Sequence, residues 1–270
     1  MTAAFPTPAW LVGCGNMAGA MVDGWRAGGL DLSHVTVIRP SGTPVQGVHT
    51  VTDYPEEQPR FVMLGLKPQK LGEVAPGLAA HVGEEAIVVS MLAGVTAASL
   101  RRRFPKARAI VRVMPNLPVA QVQGVTAIYS PDGGINDLPE IRQLMASLGM
   151  IAWCEKEAEL GVIGAVASAG VAYVARFADA LAKSAEALGI RPGLAGQVAI
   201  QTLVGTGAYA AETAASMGEI VRRVASPKGT TEQGLAVLDA PDGLQPLVDR
   251  TLAAAIRRGQ QLAEEAARRD

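Results

Sequence analysis

One stretch near the start of the chain, residues 10–20, constrains the fold more than any other. A short apolar run there leads into Gly13-x-Gly15-x-x-Ala18, and a segment rich in Ala, Met and Val follows. Gly13 permits a sharp turn, Gly15 lets the backbone approach a pyrophosphate, and Ala18 lets a helix lie close to its strand. Phosphates bind to the free N–H groups at the start of such a helix. The pattern therefore predicts a strand, a tight turn and a helix that bind a dinucleotide.

Alternating strand and helix patterns continue from this unit to about residue 156. The predicted strands are residues 9–13, 35–39, 48–51, 61–66, 86–91, 109–114, 124–130 and 150–154, and the predicted helices are 15–28, 68–81, 96–103 and 135–148. This alternation predicts an α/β domain over residues 1–156 with a Rossmann-type, doubly wound parallel sheet. Ligands of such sheets bind beyond the carboxyl ends of the strands. The residues at those ends are Cys14, Arg39, Lys67, Ala93 and Asn116.

The end of the second strand indicates which dinucleotide is bound. An Asp or Glu at this position would accept hydrogen bonds from the ribose hydroxyls of NAD, whereas a basic residue accommodates the 2′-phosphate of NADP. The strand ends in Arg39, Ser41 is nearby, and residues 35–46 contain no acid. These residues predict NADP(H), with NADPH preferred over NADH. A solvated arginine at the end of a strand is the alternative interpretation of Arg39.

The remaining residues, 157–270, predict a second domain that is entirely helical. Ala-rich helical stretches cover about 157–189, 193–216, 218–225, 231–239 and 243–268. Residues 161–177 are apolar around most of the helix circumference, which indicates burial on more than one side. One small domain cannot easily bury so much apolar surface, so we expect helices that pack across a dimer interface.

A second motif, residues 226–233, lies between two of these helices. Thr230-x-x-Gln233 matches the capping box, which predicts a helix with Thr230 as its N-cap. The first turn offers free N–H groups, two hydroxyls and a glycine, which together suit a substrate carboxylate. A capped helix without a ligand explains the same residues equally well.

Composition excludes several other classes of protein. The formal net charge of −1 over 270 residues gives no electrostatic reason to expect binding to nucleic acid or to a membrane surface. Two cysteines, Cys14 and Cys154, are too few for a disulfide framework and fit a reducing compartment. The N-terminus lacks the features of a signal peptide, and no uncharged apolar run reaches the roughly 18 residues of a membrane helix. We therefore expect a cytoplasmic protein. His34, His49 and His81 have no metal-ligand spacing and are expected at the surface, so we expect no metal site.

Five blocks, taken in order along the chain, resemble those of the pyrroline-5-carboxylate reductases. They are Gly-Cys-Gly-Asn-Met at 13–17, Leu-Lys-Pro-Gln at 66–69, Ala-Gly-Val at 93–95, Arg-Val-Met-Pro-Asn-Leu-Pro at 112–118 and Ser-Pro-Lys-Gly-Thr-Thr at 226–231. The resemblance implies a Rossmann domain followed by a helical domain that forms an intertwined dimer, often assembled into a decamer. It also implies that NADPH or NADH reduces 1-pyrroline-5-carboxylate, a cyclic imine carboxylate, to proline.

The resemblance also implies roles for individual residues. On the cofactor side, the pyrophosphate would be held by Gly13, Cys14, Gly15, Asn16 and Met17, the 2′-phosphate by Arg39 and Ser41, and the ribose and nicotinamide by Lys67, Pro68 and Ala93. On the substrate side, the expected residues are Asn116, Gly229, Thr230 and Thr231, with the last three binding the carboxylate through their amides. The Thr231 hydroxyl would face the imine nitrogen, which makes Thr231 the expected catalytic residue.

Two departures from the family pattern leave alternatives open. Residues 167–173 keep only the end of the family's Ser-Gly-Ser-Gly-Pro-Ala-Tyr block, so a six-membered imine as substrate, or an inactive NADPH-binding regulatory homologue, remains an alternative. Lys228 stands where the family has glycine and must adopt the backbone conformation of that glycine. A β-hydroxyacid dehydrogenase would need a helical Lys with Asn four residues later, but Lys183 is followed by Ala187, which disfavours that class.

Overall fold

A single eight-stranded sheet lies at the centre of the first of two units. The computed structural model describes residues 3–267, excluding the side chains of the last two. The first unit contains the residues up to Ala169 together with those from Ala255 onwards, and the second is Gly170–Ala254. The strands are β1 (Ala9–Val12), β2 (Val35–Ile38), β3 (His49–Val51), β4 (Phe61–Leu64), β5 (Ile87–Ser90), β6 (Ala109–Pro115), β7 (Gly124–Tyr129) and β8 (Gly149–Trp153).

The strand order is β3-β2-β1-β4-β5-β6-β7-β8. The first six strands are parallel, as predicted, and therefore bring their carboxyl ends to one edge of the sheet. The exception is β7, which runs antiparallel to β6, whereas β8 is parallel to β7. Only residues 116–123 connect β6 to β7, and a parallel crossover needs about a dozen residues or more. The sheet is therefore mostly parallel, with one antiparallel pair.

Helices cover both faces of the sheet. They are α1 (Asn16–Ala27), α2 (Leu71–Ala79), α3 (Ala97–Arg103) and α4 (Pro139–Ala146). Strands buried on both faces need such covers, and successive residues of β1 enter different cores: Leu11 packs with α1 and α4, and Trp10 packs with α2 and α3. Trp25 Nε1 donates a hydrogen bond to the Leu144 carbonyl at 3.0 Å, which joins α1 to α4. The predicted doubly wound architecture is confirmed.

The next helix, α5 (Glu159–Ala167), belongs to the first unit because it packs on β6 and β7. Leu160 is buried there, and a Cβ added at Gly164 would collide with the sulfur of Met114. The two units part after Ala169, beyond the domain border that we placed after residue 156. That border remains a prediction.

The second unit is helical, as predicted. It contains α6 (Gly170–Ala187), α7 (Pro192–Thr213), α8 (Met217–Val224), α9 (Thr230–Leu238) and the first part of α10 (Leu244–Ala267). The small side chains of Ala182, Ala195 and Ala199 lie between α6 and α7. The stretch predicted as helical over 157–189 is two helices, α5 and α6, interrupted at Ser168 and Ala169.

Much of the apolar surface of the second unit is exposed in the isolated chain. On α7, Val198, Ile200 and Val204 are 55%, 61% and 57% exposed. Apolar surface of this extent indicates an interaction site. The stretch Glu159–Ala187 also has the length and hydropathy of a membrane-crossing helix, which is weak evidence, since the structure divides it into α5 and α6.

Candidate functional site

The turn between β1 and α1 has the predicted geometry. Gly13 has φ +80°, and a Cβ there would lie 3.0 Å from the Gly65 carbonyl oxygen. Gly15 is the extended N-cap residue of α1; no side chain caps the helix, and its first turn contains no acid. Hydrogen bonding within the helix begins with the Gly19 amide, which donates to the Gly15 carbonyl at 2.8 Å. The earlier N–H groups of the helix are thus directed outward, where a phosphate can bind them.

A third small residue, Gly65, completes this turn and was missed by the sequence analysis. A Cβ at Gly65 would lie 2.6 Å from the Gly13 oxygen and 2.9 Å from the Ala18 Cβ. Gly65 therefore allows β4, the phosphate turn and α1 to approach one another closely. The available signal was a glycine directly after the apolar strand of residues 61–64.

Arg39 and Ser41 lie at the neighbouring strand end. The Arg39 amide donates to the Val51 carbonyl at 3.0 Å, and the exposed Ser41 hydroxyl accepts from the Thr43 amide at 3.3 Å. Burial raises the pKa of the Cys14 thiol, and the positive charge of Arg39 acts in the opposite direction. Arg39 therefore contributes positive charge at the phosphate turn that contains Cys14.

An acidic residue lies one strand further along and was also missed. The carboxylate of Asp53, just after β3, accepts a hydrogen bond from the Thr52 hydroxyl at 2.7 Å. Thr52 in turn lies against the loop that follows Arg39, because a Cβ at Gly42 would be 3.4 Å from its methyl group. Asp53 lies outside residues 35–46, the range whose lack of an acid predicts NADP(H). Asp53 is thus a second residue to test in cofactor selection.

The other expected cofactor residues follow β4 and β5. Lys67 is exposed and precedes a 3₁₀ turn, Pro68–Lys70, in which Pro68 takes the first position as predicted. Ala93 is exposed in the loop after β5, where Gly94 has φ +78°. Since β4 and β5 are neighbours in the sheet, these residues lie at the same edge as the phosphate turn.

Asn116, expected to bind substrate, is buried and is bonded within the protein. Its Nδ2 donates to the Ala167 carbonyl at 3.1 Å, and its Oδ1 accepts from the Val125 amide at 2.8 Å. The side chain thus joins the end of β6 to β7 and α5. Its amide nitrogen carries two hydrogens, and the bond to Ala167 uses one of them.

The loop before α9 and the first turn of that helix contain the remaining expected substrate residues, and one prediction about the loop is confirmed. Lys228 has φ +59°, the left-handed conformation expected for a residue in the place of glycine. Its amide donates to Glu232 Oε2 at 2.7 Å. The Gly229 amide donates to the Ser226 carbonyl at 2.9 Å, which closes the turn.

The predicted capping box is wrong. Gly229, not Thr230, is the N-cap of α9, no side chain caps it, and Thr230 is the first helical residue. Glycine is an accepted N-cap residue, and the charged carboxylate of Glu232 is a stronger acceptor than the amide of Gln233. Thr230 is exposed and Thr231 is half-buried, so both hydroxyls are free of the capping role that we expected for Thr230.

The histidines differ in their surroundings. His34 and His49 are exposed as expected, whereas His81 is half-buried with its ring 5.0 Å from that of Tyr54 and 5.6 Å from that of Trp10. His81 is therefore a packing residue, which corrects its expected surface position. Within residues 3–267, no three His, Cys, Asp or Glu side chains are grouped to hold a metal ion.

Comparisons with known proteins agree with this arrangement. A family model described as pyrroline-5-carboxylate reductase dimerisation matches residues 157–262. The chain is 30% identical over 265 residues to the pyrroline-5-carboxylate reductase of Pseudomonas aeruginosa, covering 94% of this chain and 96% of that protein. The solved pyrroline-5-carboxylate reductase of Coxiella burnetii superimposes with a TM-score of 0.88 at 30% identity, covering 96% of this chain and 99% of the other. A Plasmodium falciparum pyrroline carboxylate reductase, solved with NADP bound, shares the fold with a TM-score of 0.82 at 20% identity, covering 94% of this chain and 97% of the other.

Proposed function

The chain belongs to the pyrroline-5-carboxylate reductase family, and we propose that it reduces 1-pyrroline-5-carboxylate to proline with NADPH as the hydride donor. The observation that carries this proposal is 30% identity to a pyrroline-5-carboxylate reductase over nearly the full length of both chains. The chain is accordingly an oxidoreductase that acts on a carbon–nitrogen bond and uses a pyridine nucleotide.

The residues at the sheet edge fit a pyridine dinucleotide. Gly13 and Gly15 leave the turn free of side chains, and the uncapped start of α1 presents N–H groups to a pyrophosphate. Arg39 and Ser41 would hold the 2′-phosphate, and this contact is the reason to propose NADPH rather than NADH. Once bound, the cofactor supplies the hydride. The protein supplies orientation through the loop that contains Ala93.

The loop of the second unit fits the substrate. At the start of α9 the amides of Thr230 and Thr231 would bind the carboxylate, because the first N–H groups of a helix have no partner within it. The Gly229 amide, expected to join them, already donates to the Ser226 carbonyl. The Thr231 hydroxyl would bond to the imine nitrogen and relay a proton to it from water. The hydride is added to the imine carbon and the proton to the nitrogen, which completes the reduction.

The altered block of residues 167–173 bears on the ring size of the substrate. In this block, the Ser168 hydroxyl donates to the Pro115 carbonyl at 3.1 Å, and Asn116 holds the Ala167 carbonyl. These bonds fix the end of α5 without the residues that the family usually has there. A six-membered imine is therefore the second candidate substrate.

Steady-state turnover tests the function directly. Oxidation of NADPH is followed with 1-pyrroline-5-carboxylate and, separately, with a six-membered cyclic imine carboxylate. Ready turnover of the five-membered ring supports the proposal and rules out an inactive regulatory homologue. Turnover of the six-membered ring alone selects the second candidate.

The family model for dimerisation implies a homo-oligomer. We propose an intertwined dimer, and a decamer assembled from five such dimers. The exposed apolar residues of α6 and α7 support an interface between copies of the chain. We also propose a cytoplasmic enzyme that binds neither nucleic acid nor membranes, on the grounds of its net charge of −1 and its two cysteines.

A further inference from the structure

We propose that Glu157 is a positioning residue for the loop after β5, because its carboxylate joins the start of α3 to Arg112 of β6. The inference rests on the proposed function, in which this loop contains Ala93 and lies beside the nicotinamide. Neither Glu157 nor Arg112 is expected to touch the cofactor or the substrate.

Short-range hydrogen bonds shape the loop, and its Gly94 lies close to the α10 backbone, where an added Cβ would be 2.8 Å from the Leu262 oxygen. Leu92 donates its amide to the Ser90 hydroxyl at 3.2 Å, and the Thr96 hydroxyl accepts from the Ser99 amide at 3.1 Å, which caps α3. These bonds shape the two ends of the loop. They leave Ala93 exposed between them, next to Gly94 in the left-handed region.

A longer-range contact fixes the loop to the rest of the unit. The Ala97 amide, at the first helical residue of α3, donates to Glu157 Oε1 at 2.6 Å. Arg112 Nη1 donates to the same oxygen at 2.9 Å. The side chains of Arg112 and Glu157 are only 12% and 29% exposed, so water competes weakly with these charge-assisted bonds.

The position of Arg112 explains why this contact bears on the loop. Arg112 is paired in register with Ser90, the last residue of β5, and so lies beside the base of the loop. Its buried Nε has no hydrogen-bond partner among residues 3–267, and an incompletely satisfied buried ion pair is weak evidence for a stabilising role. The Arg112–Glu157 pair can hold the loop in place even if it adds nothing to the free energy of unfolding.

The far end of α5 keeps Glu157 from shifting. Glu157 precedes this helix, and the other end is held by two bonds at the end of β6. Asn116, directly after the strand, donates to the Ala167 carbonyl, and Ser168 donates to the Pro115 carbonyl. Both ends of the segment are therefore attached to the same strand. Glu157 is a fixed anchor from which the start of α3, and with it the loop, is held.

The test compares Glu157 with a carboxylate in a matching environment. Asp132 also accepts from an arginine and a backbone amide, Arg101 Nη2 at 2.6 Å and Ile110 at 2.7 Å, and its side chain is 27% exposed. Ile110 is near the start of β6 and Arg101 is in the last turn of α3, so this bridge holds α3 at the end opposite to the loop. Asp132→Ala is therefore the control for loss of a structural bridge.

We expect Glu157→Ala to raise the dissociation constant of the cofactor by about threefold or more and to lower kcat by about tenfold. Glu157→Gln keeps an acceptor for the Ala97 amide and should recover most of both losses, whereas Asp132→Ala should lower Tm without changing either quantity. Cofactor binding is measured by fluorescence titration with whichever of NADPH and NADH binds the unmodified full-length protein more tightly.

The proposal is overturned if folded Glu157→Ala binds the cofactor within about threefold of the unmodified protein, or if Asp132→Ala impairs binding to the same extent. Should Glu157→Ala fail to fold, the shorter Glu157→Asp replaces it with the same expectation and the same threshold. The titration needs no imine, so absence of turnover in the unmodified protein would count against the proposed function and leave this comparison intact.

Discussion

Arg39 offers the sharpest test of cofactor selection. It directly follows β2, is half-buried, and acts electrostatically on Cys14 in the phosphate turn. A hydrogen bond to a charged group contributes about 1.5–3 kcal/mol, and each 1.4 kcal/mol corresponds to about tenfold in affinity. We therefore expect Arg39→Ala to weaken NADPH binding by roughly tenfold or more. NADH lacks the 2′-phosphate, so its affinity should stay nearly unchanged.

The assay is a pair of fluorescence titrations, with NADPH and with NADH, on each variant. Arg39→Lys retains the charge but not the planar fork, and should keep part of the preference for NADPH. Asp53→Asn is the matched control, because Asp53 follows the adjacent strand β3 and bonds to Thr52. Equal losses of NADPH and NADH affinity in Arg39→Ala would refute the assignment. A loss of NADH affinity in Asp53→Asn would identify Asp53 as a ribose contact.

The other predictions concern the second unit. Thr231→Ala should reduce turnover by about ten- to a hundredfold with cofactor affinity unchanged, and Thr231→Ser should keep much of the turnover. Normal turnover in Thr231→Ala would show that Thr231 is not the catalytic residue. Because Gly229 is the N-cap, Thr230→Ala should change Tm little; a large drop would mean that its hydroxyl does cap α9. Lys228→Gly should stabilise the protein by about 0.5–1 kcal/mol in thermal unfolding, since φ +59° strains a lysine, and a lower Tm would contradict this. Light scattering at micromolar concentration should show at least a dimer, and a stable monomer near 27.9 kDa would exclude it.

Local patterns in the sequence were sufficient to predict the phosphate turn. Gly13 and Gly15 determine the path of the backbone over a few residues, and the structure shows the strand, turn and helix that they predict. The alternation of strands and helices determined the fold class in the same way, since each element's pattern is set by residues close to one another in sequence. The left-handed conformation of Lys228 was expected from the resemblance, because the family has glycine at this position.

Contacts between distant residues were decided only by the tertiary structure. The bond between Glu157 and the Ala97 amide joins residues 60 positions apart, and Asn116 reaches the Ala167 carbonyl across 51. No local pattern records which side chain will meet which amide, so the bonds by which Asn116 and Glu157 join separate elements were not predicted. Gly65 is needed because β4 passes close to the phosphate turn, and the reversal of β7 follows from how a short connection folds back on the sheet. Such choices depend on the packing of whole elements, which exists only once the chain has folded.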